Sequence, residues 1–150
     1  CSSASVSTIA DWNWVGNSNG IAIGSDGLPI VSYRDSDAKA LKVAHCDDVA
    51  CLSVTSSTLD SNGSFYGVGD DNSIAIGNDG LAIISYYDRD NEYIKVAHCD
   101  DVACSTATIE SLSGLLGIDR ASTRIVIGSD GLPVVSYWEN DAGFETDVFS

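Results

Sequence analysis

The sequence predicts an all-β fold of three four-stranded antiparallel sheets, arranged like the blades of a propeller. Three observations carry this expectation. The run Ile21 to Tyr33 (I-A-I-G-S-D-G-L-P-I-V-S-Y) returns at Ile74 to Tyr86 and again at Ile125 to Tyr137. The spacing is about 50 residues, a period that marks propellers, solenoids or repeat arrays. Within each copy, short apolar runs alternate with Gly/Asp/Asn turn residues, and no helical period appears. A β-solenoid is the competing architecture, but its coils are shorter and lack four successive hairpins.

The second copy is the clearest. Ile74-Ala75-Ile76-Gly77 is a short apolar strand, and Asn78-Asp79-Gly80 is a turn in which Gly supplies positive φ. Leu81 to Tyr87 is a second strand, rich in Ile and Tyr. Asp88 to Glu92 is a polar loop, Tyr93 to Cys99 a third strand, Asp100 to Ala103 a tight connection, and Cys104 to Ile109 a fourth strand. The first strand is apolar on both faces, as an innermost strand between neighbours should be. The fourth is rich in Ser and Thr, as an outer edge should be.

Applied to the whole chain of 150 residues, this grammar gives one repeat domain. A fourth-type strand spans about 1–10, since Cys1-Ser2-Ser3-Ala4-Ser5 aligns with Cys51 to Thr55 and Cys104 to Thr108. One blade follows at about 20–60, a second at about 73–112, and an incomplete third at about 124–150. Writing the strands of a blade as a to d, the order is d-abcd-abcd-abc. One strand lacks a blade and one blade lacks a strand. Three blades are too few for a ring, since propellers have about four to eight. The expected resolution is strand donation between copies, with Cys1, Ala4, Val6 and Ile9 pairing against Phe144, Val148 and Phe149 of a neighbour. Such a contact either closes into a ring of two chains or extends as a fibre. The alternative is a piece of a longer propeller. A processed lipoprotein, which also begins with Cys and small residues, explains Cys1 less well.

The segments His45-Cys46-Asp47-Asp48-Val49-Ala50-Cys51 and His98-Cys99-Asp100-Asp101-Val102-Ala103-Cys104 place two cysteines at facing ends of a hairpin. The spacing predicts disulfides Cys46–Cys51 and Cys99–Cys104, hence an extracellular compartment. Zinc ligation by His and two Cys would need a fourth ligand that the sequence does not supply. Cys1 has no aligned partner, because its counterpart position falls near Ser150.

The net charge of −15 repels nucleic acid and anionic membrane, and no apolar run is long enough for a membrane span. Asp35, Asp37, Asp88 and Asp90 sit on acidic loops at one corner of each blade. They are weak Ca²⁺ candidates, since Asp is also the ordinary turn residue. Trp12, Trp14 and Trp138 are candidates for stacking on sugars, although an apolar inter-blade position more simply serves as a plug. No hydrolase elbow, phosphate loop or nucleotide fingerprint occurs, so no enzyme and no cofactor are expected.

The run I-A-I-G-x-D-G-L-P-V-V-S-Y followed by K-V-A-H-C-x4-C resembles repeats of uncharacterised secreted bacterial proteins of the β-propeller type. The resemblance implies fold and secretion, not activity. The functional expectation is an extracellular structural protein that assembles with itself into a homo-oligomer or filament. A glycan-binding propeller lectin is the alternative, with a fragment of a secreted hydrolase behind it.

Overall fold

The hairpin turns fix the first two strands of each sheet. Gly24 N–H donates to Leu28 O (2.8 Å), Gly27 N–H to Gly24 O (2.9 Å), and Leu28 N–H to the Asp26 carboxylate (3.0 Å). The same bonds recur at Gly77–Leu81 and Gly128–Leu132. Gly27, Gly80 and Gly131 hold φ between +81° and +88°, a region costly for residues with a Cβ. The D-G of each repeat is therefore a backbone requirement.

The computed structural model describes residues 6–10, 15–61, 65–114, 121–139 and 143–148. Among them eleven strands form three antiparallel sheets, and no helix occurs. Sheet 1 contains β1 (Val15–Ile23), β2 (Pro29–Asp35), β3 (Ala40–Cys46) and β4 (Val54–Ser61) in that order. Sheet 2 contains β5 (Val68–Ile76), β6 (Ala82–Asp88), β7 (Tyr93–Cys99) and β8 (Ala107–Gly114). Sheet 3 contains β9 (Ala121–Ile127), β10 (Pro133–Glu139) and β11 (Gly143–Val148), with β11 at its edge.

Two boundaries differ from the sequence reading. The first strands start at Val15, Val68 and Ala121, before the apolar runs, because bulged segments around Gly16–Asn19 and Gly69–Asn72 stay paired to the second strands. Cys51 and Cys104 do not open fourth strands. They hold φ of 54° and 55° in the turn, and the strands start at Val54 and Ala107.

The first strands stand side by side, β1 against β5 and β5 against β9. Registers make Ser32, Ser85 and Ser136 equivalent, since they face Gly20, Ser73 and Arg124. Sheet 1 meets sheet 2 through a cluster holding Ile30, Leu41, Val43, Ile84 and Tyr86. Sheet 2 meets sheet 3 through Ile83, Tyr87, Ile94, Val96, Val135 and Tyr137. Sheet 2 is thus apolar on both faces, and β6 is buried along its whole length.

Each interface carries a buried hydrogen bond between side chains. Ser32 Oγ donates to Asn72 Oδ1 (2.7 Å), and Ser85 Oγ bonds Thr123 Oγ1 (2.9 Å). Asn72 is 4% exposed, and its amide also donates to Ser18 O and Gly69 O (both 3.0 Å). Asn72→Ala leaves all three partners short of a bond. It is expected to cost about 2 kcal/mol. Asn19→Ala, at the equivalent position on sheet 1, should cost under about 0.5 kcal/mol, because its amide bonds only Gly16 O (3.1 Å). Urea denaturation of both variants checks this, and equal losses would refute the assignment.

Candidate functional site

The two outward faces of the array are built from the residues that pack inside it. By register, Ile21, Val31 and Tyr33 of sheet 1 correspond to Ile74, Ile84 and Tyr86 of sheet 2. The latter three pack onto sheet 1. On sheet 1 that face meets no sheet among the described residues: Tyr33 is buried, but Ile21 and Ile23 are 67% and 60% exposed. On sheet 3 the outer face presents Val126 (60% exposed), Val134, Ser136 and Trp138. These correspond to Ala75, Ile83, Ser85 and Tyr87. Asn19 on the first face keeps the bond to Gly16 O that Asn72 makes to Gly69 O. Each face is one half of the inter-sheet contact.

A cleft of about 460 Å³ opens between sheets 2 and 3. Ile83, Val96, Leu132 and Pro133 give it apolar walls, with His98 and Glu110 beside them. His98 Nε2 shares a 2.8 Å hydrogen bond with Asp79 Oδ2. His45 and Asp26, both of sheet 1, form the same pair at 2.9 Å. There the His side chain is 9% exposed, against 45% for His98. At the first interface Cys99, Cys104, Ala107 and Ile109 pack against Ile30 and Val43. No counterpart of that fourth strand lies on sheet 3 among the described residues.

The cysteines are joined as Cys46–Cys51 and Cys99–Cys104, each with Cα atoms 4.9 Å apart. Asp35 accepts from Ala38 N–H (2.8 Å) and pairs with Lys42 Nζ (2.7 Å). Asp88, fully buried, pairs with Lys95 Nζ (2.7 Å), which also reaches Asp60 (3.1 Å). Asp90 accepts from Tyr66 and Gly67 N–H (2.8 and 2.7 Å), and Asp37 lies exposed on its turn. The four carboxylates are therefore divided between two turns on two sheets. At the corresponding positions of sheet 3, Glu139 and Glu145 replace Asp and Lys.

Trp138 is 38% exposed at the edge of the outer face of sheet 3. Trp12, Trp14, Cys1, Ala4 and Phe149 lie outside the described residues, as do the side chains of Phe144 and Val148. Residues 6–10 form no strand in the single chain. Val6 is exposed, while Ile9 and Ala10 line a hollow with Val15, Ile21 and Tyr33. The inter-sheet Ser–Asn and Ser–Thr bonds were not read from the sequence. Their only trace there is the Ser that precedes Tyr in every copy.

No known protein family and no curated protein matches the chain. Solved structures do. A protein of unknown function from Dyadobacter fermentans superposes with TM-score 0.63 at 15% identity, over 87% of this chain and 36% of that one. A fucose lectin from Kordia zhangzhouensis, in complex with methyl-fucoside, gives 0.54 at 8% identity over 88% and 99%. An endo-arabinase from Bacteroides thetaiotaomicron gives 0.51 at 14% identity over 87% and 54%. The chain spans about a third to a half of the first and last of these proteins. The shared feature is the all-β fold. No helix among the described residues is long and apolar enough to cross a membrane, and the two disulfides fit an oxidising compartment.

Several turn carboxylates titrate below their ordinary value of 3.8. The Leu28 and Leu81 N–H groups, with the histidines beside them, hold Asp26 and Asp79 down. For Asp35, burial pushes up but is outweighed by the Ala38 N–H and Lys42. A carboxylate depressed in the fold stabilises it above the unfolded pKa, and that stabilisation is lost as pH falls through the folded value. Asp70, raised by burial, works in the opposite sense. The melting temperature should fall as pH is taken from about 5 to about 2, and Asp35→Asn should flatten the fall. A rise over that range in a calorimetric scan would refute the balance.

Proposed function

We propose that this chain is an extracellular structural protein whose three sheets act as propeller blades and which assembles head to tail with copies of itself. The observation that carries the reading is the complementarity of the two outer faces. Sheet 3 of one copy presents Ser136 with Val126 and Val134. Sheet 1 of the next presents Asn19 with Ile21 and Ile23. Docked as sheets 1 and 2 dock, they reproduce the Ser32–Asn72 contact. Burying Ile21 and Ile23 is worth about 1.5–3 kcal/mol each at most, set against the entropy of association.

The amino-terminal segment fits the same geometry. In sequence register, Cys1, Ala4 and Val6 match Cys104, Ala107 and Ile109, which close the first inter-sheet interface. The open cleft beside His98 is the corresponding space in sheet 3. Residues 1–9 of one copy, laid against β11 of its neighbour, would fill that space and complete the fourth strand. Ile9 supports this: it lies near Ile21 and Tyr33 as its repeat counterpart Leu59 lies against the cluster holding Ile74 and Tyr86. Strand donation and face docking are then one event, because the donated strand leads directly into β1.

A second reading, glycan binding, is favoured by the likeness to the fucose lectin, which covers nearly that whole chain. It is compatible with assembly, since multivalent binding benefits from a repeated scaffold.

Size-exclusion chromatography with light scattering, followed by electron microscopy, tests the assembly reading. The intact chain should form rings or fibres. Deleting residues 1–9, or making Ile21→Glu on the exposed face, should reduce the assemblies to monomers with both disulfides intact. A monomeric intact chain at high concentration would overturn the proposal, as would unchanged assemblies after deletion.

A further inference from the structure

The corner where sheets 1 and 2 meet holds a second feature, unrelated to the end faces. The chain has only seven Lys and Arg residues against 22 Asp and Glu. Two of the seven, Arg34 and Arg89, converge on one hollow of about 300 Å³, with Asn17, Ser18, Asp70 and Tyr87 around it. Arg34 donates through Nη1 to Asp70 Oδ1 (2.6 Å) and through Nη2 to Tyr66 O. Arg89 lies on the Tyr66 ring, 4.1 Å from its centroid, and has no carboxylate at ion-pair distance among the described residues. The Nε–H groups of both arginines are buried without a hydrogen-bond partner. Native proteins rarely leave such donors unmade, since each unmade bond costs about 1–3 kcal/mol.

The repeat does not require this arrangement. Register places Tyr87 and Trp138 where Arg34 stands. Arg89 corresponds in sequence to Ser36 and Asn140. The pair occurs at one corner only, whereas the bonds that join the sheets recur. Asp71, on the bulge lining the hollow, holds φ of 47°, a strained value for a residue with a side chain. Tyr66, which touches both arginines, is 42% exposed and packs edge to face on Phe65, 80% exposed, with ring centroids 5.0 Å apart. The hollow shares Asn17, Ser18 and Asp71 with a second polar pocket of about 410 Å³ that reaches Arg124. Joined through these three residues, the two pockets make one polar trough.

We propose that this trough is a binding site for a carboxylated oligosaccharide, an inference that rests on the glycan-binding reading above. Exposed aromatic rims stack on pyranose faces, and Asn17, Ser18 and Asp71 offer both donors and acceptors to hydroxyl groups. Arg89 acts on Asp70 at a distance but makes no ion pair with it, its Nε–H is unbonded, and a planar fork matches a sugar carboxylate. Arg34 is already engaged by Asp70 and holds the wall in place. A neutral sugar would leave the Arg89 fork without an ion pair, and a simple carboxylate would leave Phe65 and Tyr66 unused.

Titration calorimetry on the full, oxidised chain tests this with three probes: an oligogalacturonate, methyl-fucoside, and acetate. The oligogalacturonate should bind, with affinity falling as salt rises, and at least tenfold tighter than either other probe. Arg89→Ala should weaken it at least tenfold, and Arg89→Lys should retain part of the affinity. In amide-correlation NMR the Arg89 Nε–H signal should shift on titration, a readout that reports contact even where a variant loses stability. Binding of methyl-fucoside alone would overturn the inference and leave the glycan reading standing. Binding of neither sugar would overturn both. Oligogalacturonate affinity unchanged in Arg89→Ala, with a silent Nε–H, would remove the site from this corner.

Discussion

Every sheet of this chain is apolar on both faces, and most of the structure answers to that constraint. Ile84 and Tyr86 point one way from β6 while Ile83 and Tyr87 point the other, and all four are buried. A sheet of this kind buries both faces only where a second sheet lies on each side. Sheet 2 finds both partners within the chain. Sheets 1 and 3 find one each, which is why exposed isoleucine and valine collect at the two ends of the array. The exposed residues there have the same types and spacing as the buried ones at the centre.

Apolar burial alone would let neighbouring sheets slide. The buried polar groups prevent this. Ser32 meets Asn72 and Ser85 meets Thr123 in only one alignment of the first strands, because any shift would strand buried donors. Within sheets the lysines do similar work. Lys95 sits between Asp88 and Asp60, and burial, which disfavours its charge, is outweighed by the two carboxylates, so its pKa is raised. Burial, with Asp60 and Asp88 beside it, pushes the Tyr86 phenol up as well, keeping it a neutral donor to Asp60. Losing one member of such a buried pair costs about 3–5 kcal/mol, more than the pair's own net stabilisation. These pairs therefore set register more than they add stability.

Much of this was legible in the sequence because repetition turns weak local signals into strong ones. A single Asp-Gly suggests a turn; the same Asp-Gly at 26–27, 79–80 and 130–131 assigns three hairpins. The disulfide pairs followed from two equal spacings. What escaped was whatever depends on the approach of one sheet to another. Asn19 and Asn72 look like loop residues, yet each sits in a bulged strand and only Asn72 meets a serine across the interface. The strand starts escaped for a related reason: Gly16–Asn19 and Gly69–Asn72 read as linker until pairing with β2 and β6 fixes them. The arginine corner was invisible, because Arg34 and Arg89 lie far from Tyr66 and Asp70 in sequence and are brought together only by packing.

Departures from the repeat then separate into two kinds with different physical causes. In sheet 3 the Lys–Asp positions become Glu145 and Glu139, and the positions of His45 and Cys46 become Val148 and Phe149. These changes fall on an end sheet, which has a neighbouring sheet on one side only among the described residues, where the constraints set by packing are weakest. Arg34 and Arg89 depart from the repeat in the middle of the array, beside the most deeply buried sheet. There packing is strict, and a guanidinium with an unmade bond is costly. The fold accepts Tyr at the equivalent position of sheet 2, Tyr87, so packing between the sheets does not by itself require the guanidinium of Arg34 with its unmade Nε–H bond.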